Sequence, residues 1–318
     1  MRYGEVAVRL HEAGYALPNL ASLPHIAVAG AVATGTHGSG VRLGSLASAV
    51  AAVEIVGPDG SLRTVARGDA DFPGSVVGLG ALGIVTRLTL DLVPAFEVRQ
   101  LVYDDVPFGP LDELLGGAYS VSLFTDWRAS RFSQVWHKLL PDQPSVLVGL
   151  AADGPRHPVP GMPPEHCTAQ LGQPGPWYDR LPHFRLAYTP SAGNELQSEY
   201  LVSTVDGDAA LAALDRIRDT IAPVLLVCEV RAVAADDAWL SLAYGRDSVA
   251  FHFTWVPDAG RVAPVVTAIE DALEPFAPRP HWGKVYRLDP SARYERYGDF
   301  RALRRRVDPD GKFGNEYL

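Results

Sequence analysis

The chain has 318 residues, 47% of them hydrophobic and 20% charged, which is ample material for one large or two smaller globular domains. A formal net charge of −9 argues against a nucleic-acid or anionic-membrane partner, and no apolar run is long enough to span a bilayer. Two cysteines, Cys167 and Cys228, make neither a disulfide framework nor a metal site, which points to reduced thiols in a cytoplasmic protein.

The pattern from Glu5 to Ala13 predicts a helix closed by Gly14. Ala21 to Gly40, ASLPHIAVAGAVATGTHGSG, contains no Lys, Arg, Asp or Glu and carries four glycines. Gly30, Gly35, Gly38 and Gly40 let the backbone turn or approach a ligand closely, and Thr34, Thr36 and Ser39 add hydroxyls. The stretch reads either as a phosphate-cradling loop or as a Gly/Ser turn between buried strands. It is neither a P-loop nor a G-x-G-x-x-G loop.

Further along, Ala49 to Gly57 and Ser61 to Ala66 read as strands joined by an Asp59-Gly60 hairpin turn, and Ile84 to Leu92 as a third strand. From about Phe96 longer, more aromatic strands are expected, among them Tyr119 to Trp127 and Phe132 to Leu140. Ala151 to Pro182, rich in Pro and Gly, predicts a long irregular excursion.

Glu195 to Leu288 is the most informative part. Strands are expected over Glu195 to Val202, Val224 to Arg231, Ser248 to Trp255 and His281 to Leu288, with amphipathic helices over Ala209 to Ile221 and Val262 to Leu273. That order, β-α-β-β-α-β, is the split βαβ or ferredoxin-like arrangement within an α+β protein. Strand alternation puts Glu229 with Arg231, His252 with Thr254, and Glu195 with Gln197 and Glu199 on single faces. Those faces either meet water, where a Glu/Arg pair contributes little, or converge on one cavity walled by Trp255, Trp282 and His281. Taken alone, His252 reads as a structural histidine and Lys284 as a surface lysine. Arg304, Arg305 and Arg306 read as a solvated helix face.

These residues resemble a known family. The glycine stretch, followed by GLGALGIVTRLTLDL, CEVRAVAADDAW, HFTW, RPHWGKVY and DPDGKFGNEYL, is similar to the bacterial alditol oxidases, flavoproteins of the vanillyl-alcohol-oxidase group related to the sugar-lactone oxidases. The similarity runs over essentially the whole chain. It implies FAD held by Gly30, Thr34, Gly35, Thr36, His37 and Ile84, with Ser22 close by and Ala27 where a close relative would supply a serine hydroxyl. It further implies a substrate site of Ser22, Glu229, Arg231, Thr254 and Lys284, with His252 beside them and Ala21 governing the access of dioxygen. Family members begin with an N-terminal lobe that carries a histidine linked to the flavin. Here that lobe is expected to be missing, and since neither His25 nor His37 matches the attachment position, no covalent bond is predicted.

The implied layout is a partial FAD-binding domain over residues 1–95, a substrate or cap domain over 96–288, and a C-terminal return over 289–318. The implied reaction is oxidation of a primary alcohol of a polyol such as xylitol or sorbitol, with dioxygen reduced to hydrogen peroxide. Arg231 and Lys284, with His252 nearby, suit the stabilisation of a developing alkoxide, and a lysine in a low-dielectric site can take the proton itself. A sugar-1,4-lactone oxidase and an inactive polyol-binding fragment are the alternatives. No H-E-x-x-H or clustered Cys/His set suggests a zinc hydrolase.

Overall fold

Helix α1 (Tyr3–Glu12) opens the chain, with Glu5 accepting a 2.9 Å hydrogen bond from the Arg2 amide and Gly14 turning out of it at φ +85°. The structure, a computed structural model, describes residues 1–146, 148–188 and 195–315, so the last three residues of the DPDGKFGNEYL motif lie outside it. Strand β1 (Tyr15–Ala16) follows, and the glycine-rich stretch then forms a short helix, α2 (Val28–Ala33), where only a loop or turn was expected. Small side chains allow that single coil. Thr34 ends it, and Gly35 reverses the chain at φ +66°.

Strands β2 (Val50–Val56) and β3 (Leu62–Ala66) form the expected hairpin, with Gly60 at φ +82°. After α3 (Phe72–Val76), β4 (Ile84–Leu90) completes a small sheet of order β3-β2-β4, and β5 (Val93–Pro94) pairs back to β1. At Gly83, just before β4, a Cβ would sit 2.4 Å from the Val56 carbonyl oxygen, so only glycine fits.

The remaining strands build one large, mostly antiparallel sheet. They are β6 (Glu97–Pro107), β7 (Ser120–Thr125) and β8 (Arg131–Leu139), with α4 (Leu111–Gly116) before β7, and the two-residue pieces β9 (Leu150–Ala151) and β10 (Gly175–Pro176). Then come β11 (Leu196–Ser203), α5 (Gly207–Arg216), α6 (Arg218–Ile221), β12 (Leu225–Val233), β13 (Ser248–Trp255), α7 (Ala259–Leu273) and β14 (Arg279–Pro280). The spatial order β10-β6-β8-β7-β12-β13-β11-β14 contains the ferredoxin-like set β12-β13-β11-β14, extended through β12 to β7.

Two expectations are corrected here. The helix predicted over Ala209 to Ile221 breaks at Ile217, which leaves the helical region at φ −108°, ψ 14°. The strand predicted over His281 to Leu288 is absent beyond Pro280. The chain follows β11 through His281 N–Glu199 O and Val285 N–Gln197 O bonds of 2.9 and 2.8 Å, but a turn at Trp282-Gly283 interrupts the ladder.

One face of the large sheet packs on α4, α5 and α7. Val121, Leu123, Cys228, Val230, Phe251, Phe253 and Trp255 meet Leu111, Leu211, Leu214, Val262, Val266 and Ile269 in a single buried cluster. Burying each of the large side chains stabilises the fold by roughly 1.5–3 kcal/mol. Helix α8 (Tyr297–Val307) joins a second cluster, Phe300 and Leu303 packing with Phe72, Val76 and Leu240. The sheet's other face mixes polar side chains with Val102, Phe124, Trp136 and Val227, and it too is covered. Residues 151–182, irregular as expected, lie over β6, β7 and β8, held there by Gln134 and Lys138 donating to the His157 and Leu181 carbonyls and tied within themselves by Gln170 donating to the Arg156 carbonyl. The glycine-rich stretch lies over β12, where the Gly40 amide bonds the Ala232 carbonyl at 2.9 Å.

Candidate functional site

Register puts the charged side chains in one row. Glu229 on β12 is opposite His252 on β13, which is opposite Glu199 on β11, so three neighbouring strands aim them from the same face. One residue pair further along, Thr254 faces Gln197. The Trp282-Gly283 turn brings His281 and Lys284 to the end of that row, and together with Ser22 to His37 they enclose a cavity of about 500 Å³.

Glu199 is the hub. Its Oε1 accepts from Arg231 Nη2 at 2.5 Å, its Oε2 accepts from Lys284 Nζ at 2.5 Å, and His37 Nε2 lies 3.2 Å from Oε1. Glu229 Oε1 is 2.7 Å from His183 Nε2, while Glu229 Oε2 has looser neighbours in Arg231 Nε at 3.6 Å and His252 Nδ1 at 3.7 Å. Arg231 Nη1 reaches across to Ser22 Oγ at 3.5 Å and to the His37 carbonyl at 3.4 Å, joining the sheet to the glycine-rich stretch.

Burial alone would push both carboxyls up, but Lys284 and Arg231 at Glu199, and Arg231 and His183 at Glu229, outweigh it and hold both well below the usual carboxylate range. Burial lowers the Lys284 ammonium, with Glu199 opposing. Burial and the nearby Lys284 charge bring His252 down to about 4, and burial holds His281 well below its ordinary value. His252 and His281 are therefore neutral at pH 7, beside two carboxylates, a guanidinium and the Lys284 amine.

Most of the predicted residues gather here: Ser22, Ala27, Gly30, Thr34, Thr36, His37, Glu229, Arg231, His252, Thr254 and Lys284 all line the cavity. Gly35 sits behind it as the turn residue. Ala21 is buried beside Ser22 without lining the cavity, and Ile84, 60% exposed on β4, lies outside it. The tryptophans do not wall the site. Trp255 stacks on Phe253 at 5.1 Å in the core on the opposite face, as alternation requires, and Trp282 donates to the Leu240 carbonyl and stacks on Tyr294. Phe124, His157, His183 and Phe184 are the walls instead.

Alternation puts Glu199 on the right face of its strand, but its ion pairs carry no sequence signature. His183 and Lys138 were missed altogether. His183 sits at the end of the aperiodic excursion, and the one signal for Lys138 is a lysine sharing a strand face with Gln134 and Trp136.

The small-residue wall fits a flat ring system. A Cβ built on Gly30 meets nothing within 4 Å, and Thr34 Oγ1, which donates to the Gly30 carbonyl at 3.0 Å, lies 3.3 Å from Thr36 Oγ1. The cavity volume lies within the range of roughly 300–1,000 Å³ usual for small-molecule and cofactor sites. Ala27, Gly30 and Ala31 line this cavity together with the charged row.

Comparison with known proteins agrees with this geometry. A family described as D-arabinono-1,4-lactone oxidase matches residues 194–318, and an FAD binding domain family matches residues 1–66. An alditol oxidase from Streptomyces sp. is 56% identical over 325 residues, covering 100% of this chain and 78% of that protein. An L-gulono-1,4-lactone dehydrogenase from Mycobacterium tuberculosis is 28% identical, covering 95% of this chain and 75% of that protein. Among solved structures, cholesterol oxidase from B. sterolicum superimposes with a TM-score of 0.77 over 99% of this chain and 79% of that one, at 15% identity, a likeness of fold alone.

Proposed function

Since the chain belongs to the alditol oxidase family, we propose that it is an FAD-dependent oxidase that takes a primary alcohol of an open-chain polyol to the aldehyde, dioxygen becoming hydrogen peroxide. The observation that carries this reading is the meeting, in one cavity, of a small-residue wall with a row of hydrogen-bonding and charged groups, joined where Arg231 reaches Ser22. FAD, when bound, accepts the two electrons that leave the alcohol carbon and returns them to dioxygen.

Gly30, Thr34, Gly35, Thr36 and His37, with Ala27, are assigned to hold that cofactor; Ile84, exposed and outside the cavity, is left out of the assignment. Arg231, anchored on Glu199 Oε1, places positive charge where an alcohol oxygen loses its proton, and Lys284, held on Oε2, is assigned as the proton acceptor in its neutral amine form, which burial favours. Glu229, Ser22 and Thr254 are assigned to the remaining hydroxyls, with His252 fixing the row between them. A site built to hydrogen-bond several hydroxyls discriminates strongly against analogues that lack them, because its own polar groups are then left unpaired. Ala21, buried behind Ser22, is assigned to the approach of dioxygen. Residues 1–95 and 289–318 are then assigned to the cofactor side and 96–288 to the substrate side, with α8 packed on α3 in a cluster that Leu201, Val233, Leu240 and Trp282 of the substrate side also join.

The test is spectroscopic. Protein loaded with FAD is expected to be yellow, to bleach without air on addition of xylitol or sorbitol, and to release peroxide when air is admitted. Bleaching by a sugar-1,4-lactone and not by the polyols would shift the assignment to a lactone oxidase, which the match over residues 194–318 makes the second reading. A colourless protein that still binds polyol would reduce it to a binding fragment.

A further inference from the structure

From the cavity wall at His183, next to Glu229, a chain of buried groups that the reaction outlined above does not use runs back to Lys138. Lys138, 1% exposed on β8, has two partners for its amine: the carbonyl of Leu181 and, at 3.1 Å, Nδ1 of His183. The other nitrogen of the same ring, Nε2, meets Glu229 Oε1 at 2.7 Å. Phe124 and Trp136 flank the imidazole edge-on, their ring centroids 5.5 and 5.1 Å away, so it has no room to turn over.

We infer that Lys138 is a positioning residue for substrate recognition: by donating to His183 Nδ1 it keeps the ring proton on Nε2, which binds Glu229 Oε1 and leaves Glu229 Oε2 directed at the cavity as the acceptor for a substrate hydroxyl.

The argument is one of hydrogen-bond polarity. A lysine ammonium has three donors and no acceptor, so a ring nitrogen 3.1 Å from it must accept. A neutral imidazole that accepts at Nδ1 carries its proton on Nε2 and donates there, which a carboxylate requires. The opposite tautomer would set two donors against each other at Lys138 and two lone pairs against each other at Glu229. A neutral lysine amine still has hydrogens for both partners; its lone pair no longer forbids an Nδ1–H, but the Glu229 carboxylate at Nε2 still favours the same tautomer. The surroundings agree. From β7, Ser122 Oγ lies 3.4 Å from His183 Nε2; from β12, Glu229 and Arg231 face the pair; from the covering excursion, the Cys167 thiol near Lys138 is pushed up to about 12 by burial and stays neutral. Burial, with the Lys138 charge second, takes His183 down to about 4, and burial takes Lys138 down to about 7 against the pull of Glu229. His183 therefore stays a neutral tautomer across the physiological range. This tautomer control is what fixes one of the two Glu229 oxygens and frees the other. An analogous outer partner commonly orients a ligating or catalytic histidine.

The inference rests on the polyol reading only for the job given to Glu229 Oε2, and the experiment separates the two. In protein labelled with 15N-histidine, the His183 signals, assigned by their loss in His183→Gln, are expected to show the Nε2–H tautomer from pH 6 to pH 8. In Lys138→Met, Nδ1 loses its donor and the ring is expected to take its second proton there at a higher pH than in wild type, whereas Lys138→Gln, which keeps a donor but no charge, retains the neutral Nε2–H form. A residue that merely filled space would leave Met and Gln indistinguishable. A wild-type Nδ1–H tautomer, readable without any variant, or an unchanged spectrum in Lys138→Met, overturns the inference. In FAD-loaded protein the KM for xylitol in Lys138→Met should rise about tenfold, the loss of roughly one well-aligned hydrogen bond, with kcat changed far less. Wild-type protein that shows the Nε2–H signature but ignores xylitol upholds the Lys138 assignment and defeats the polyol reading.

Discussion

Lys284 Nζ stands 2.5 Å from Glu199 Oε2 while Arg231 Nη2 stands 2.5 Å from the other oxygen of the same carboxylate, so a single buried acid orients both cations of the site. The arrangement has a direct consequence for Lys284→Met. The methionine fills similar space, and Glu199 keeps Arg231, so the fold and FAD uptake should survive. Removing the group that takes the alcohol proton should lower kcat by about 10²–10⁴-fold. Stopped-flow bleaching of bound FAD by xylitol measures it, and turnover within a factor of ten of wild type would rule out the role given to Lys284.

Glu199→Gln should act differently, on stability first. Glu199 is 1% exposed, and the change leaves Arg231 and Lys284 without their common counter-charge in a buried place. Breaking a buried pair in this way destabilises by about 3–5 kcal/mol. A urea titration should show the midpoint falling with the slope unchanged. A midpoint equal to wild type would mean that water, and not Glu199, balances the two cations.

Much of this was readable because strands alternate. Glu229 with Arg231 and His252 with Thr254 could be put on one face from i, i+2 spacing alone, and the structure aligns them across β11, β12 and β13. Spacing cannot say which strand pairs with which, so the joining of Glu199 to Arg231 and the extension of the sheet through β7 were invisible. Aromatic residues misled for the same reason. Trp255 alternates away from His252 and Thr254, so its nearness in sequence guaranteed its distance from the cavity. At Trp282-Gly283 an apolar pattern suggested a strand, but a turn wins because Gly283 follows a tryptophan whose ring is drawn into the core by Leu240 and Tyr294. The turn then aims Lys284 inward. His183 and Lys138 belong to contacts between an aperiodic segment and a strand, where no local rule applies.

The buried histidines predict the acid side of the stability curve. His183 and His252 both have pKa values lowered to about 4, and His281 is also lowered, in each case chiefly by burial. In the unfolded chain they titrate near 6.5. Between these values the unfolded state binds protons that the native state does not, so stability is full above about pH 6.5 and falls as pH drops towards 4. Glu199 and Glu229, lowered in the fold, contribute only below that window, where their stabilisation is lost as they protonate. Each histidine adds a slope of at most about 1.4 kcal/mol per pH unit. His252→Asn should therefore reduce the pH dependence of the urea-derived free energy between pH 6 and 4.5 by about 1 kcal/mol per unit, and an unchanged slope would show that His252 is already protonated in the native protein.

Two glycines of the same stretch should respond in opposite ways to a single methyl group. At Gly38 a Cβ would lie 2.2 Å from Asn19 Oδ1 and 2.3 Å from the Leu20 carbonyl oxygen, so the loop can accept alanine only by moving backbone. Overpacking of that kind destabilises by about 1–3 kcal/mol, and Gly38→Ala should show it as a lowered urea midpoint with or without FAD. At Gly30 nothing stands within 4 Å of the added carbon, and the residue is inside α2, where alanine is favoured over glycine by about 0.5–1 kcal/mol. Gly30→Ala should keep or slightly raise stability in the absence of FAD. The methyl group would, however, project from the wall assigned to the cofactor, so FAD affinity should fall, by about tenfold if one close contact is lost. Fluorescence titration with FAD, run beside the urea series, separates the two effects. If Gly30→Ala binds FAD as tightly as wild type, the cofactor does not lie against this face of α2, and the assignment of Gly30 and its neighbours fails with it.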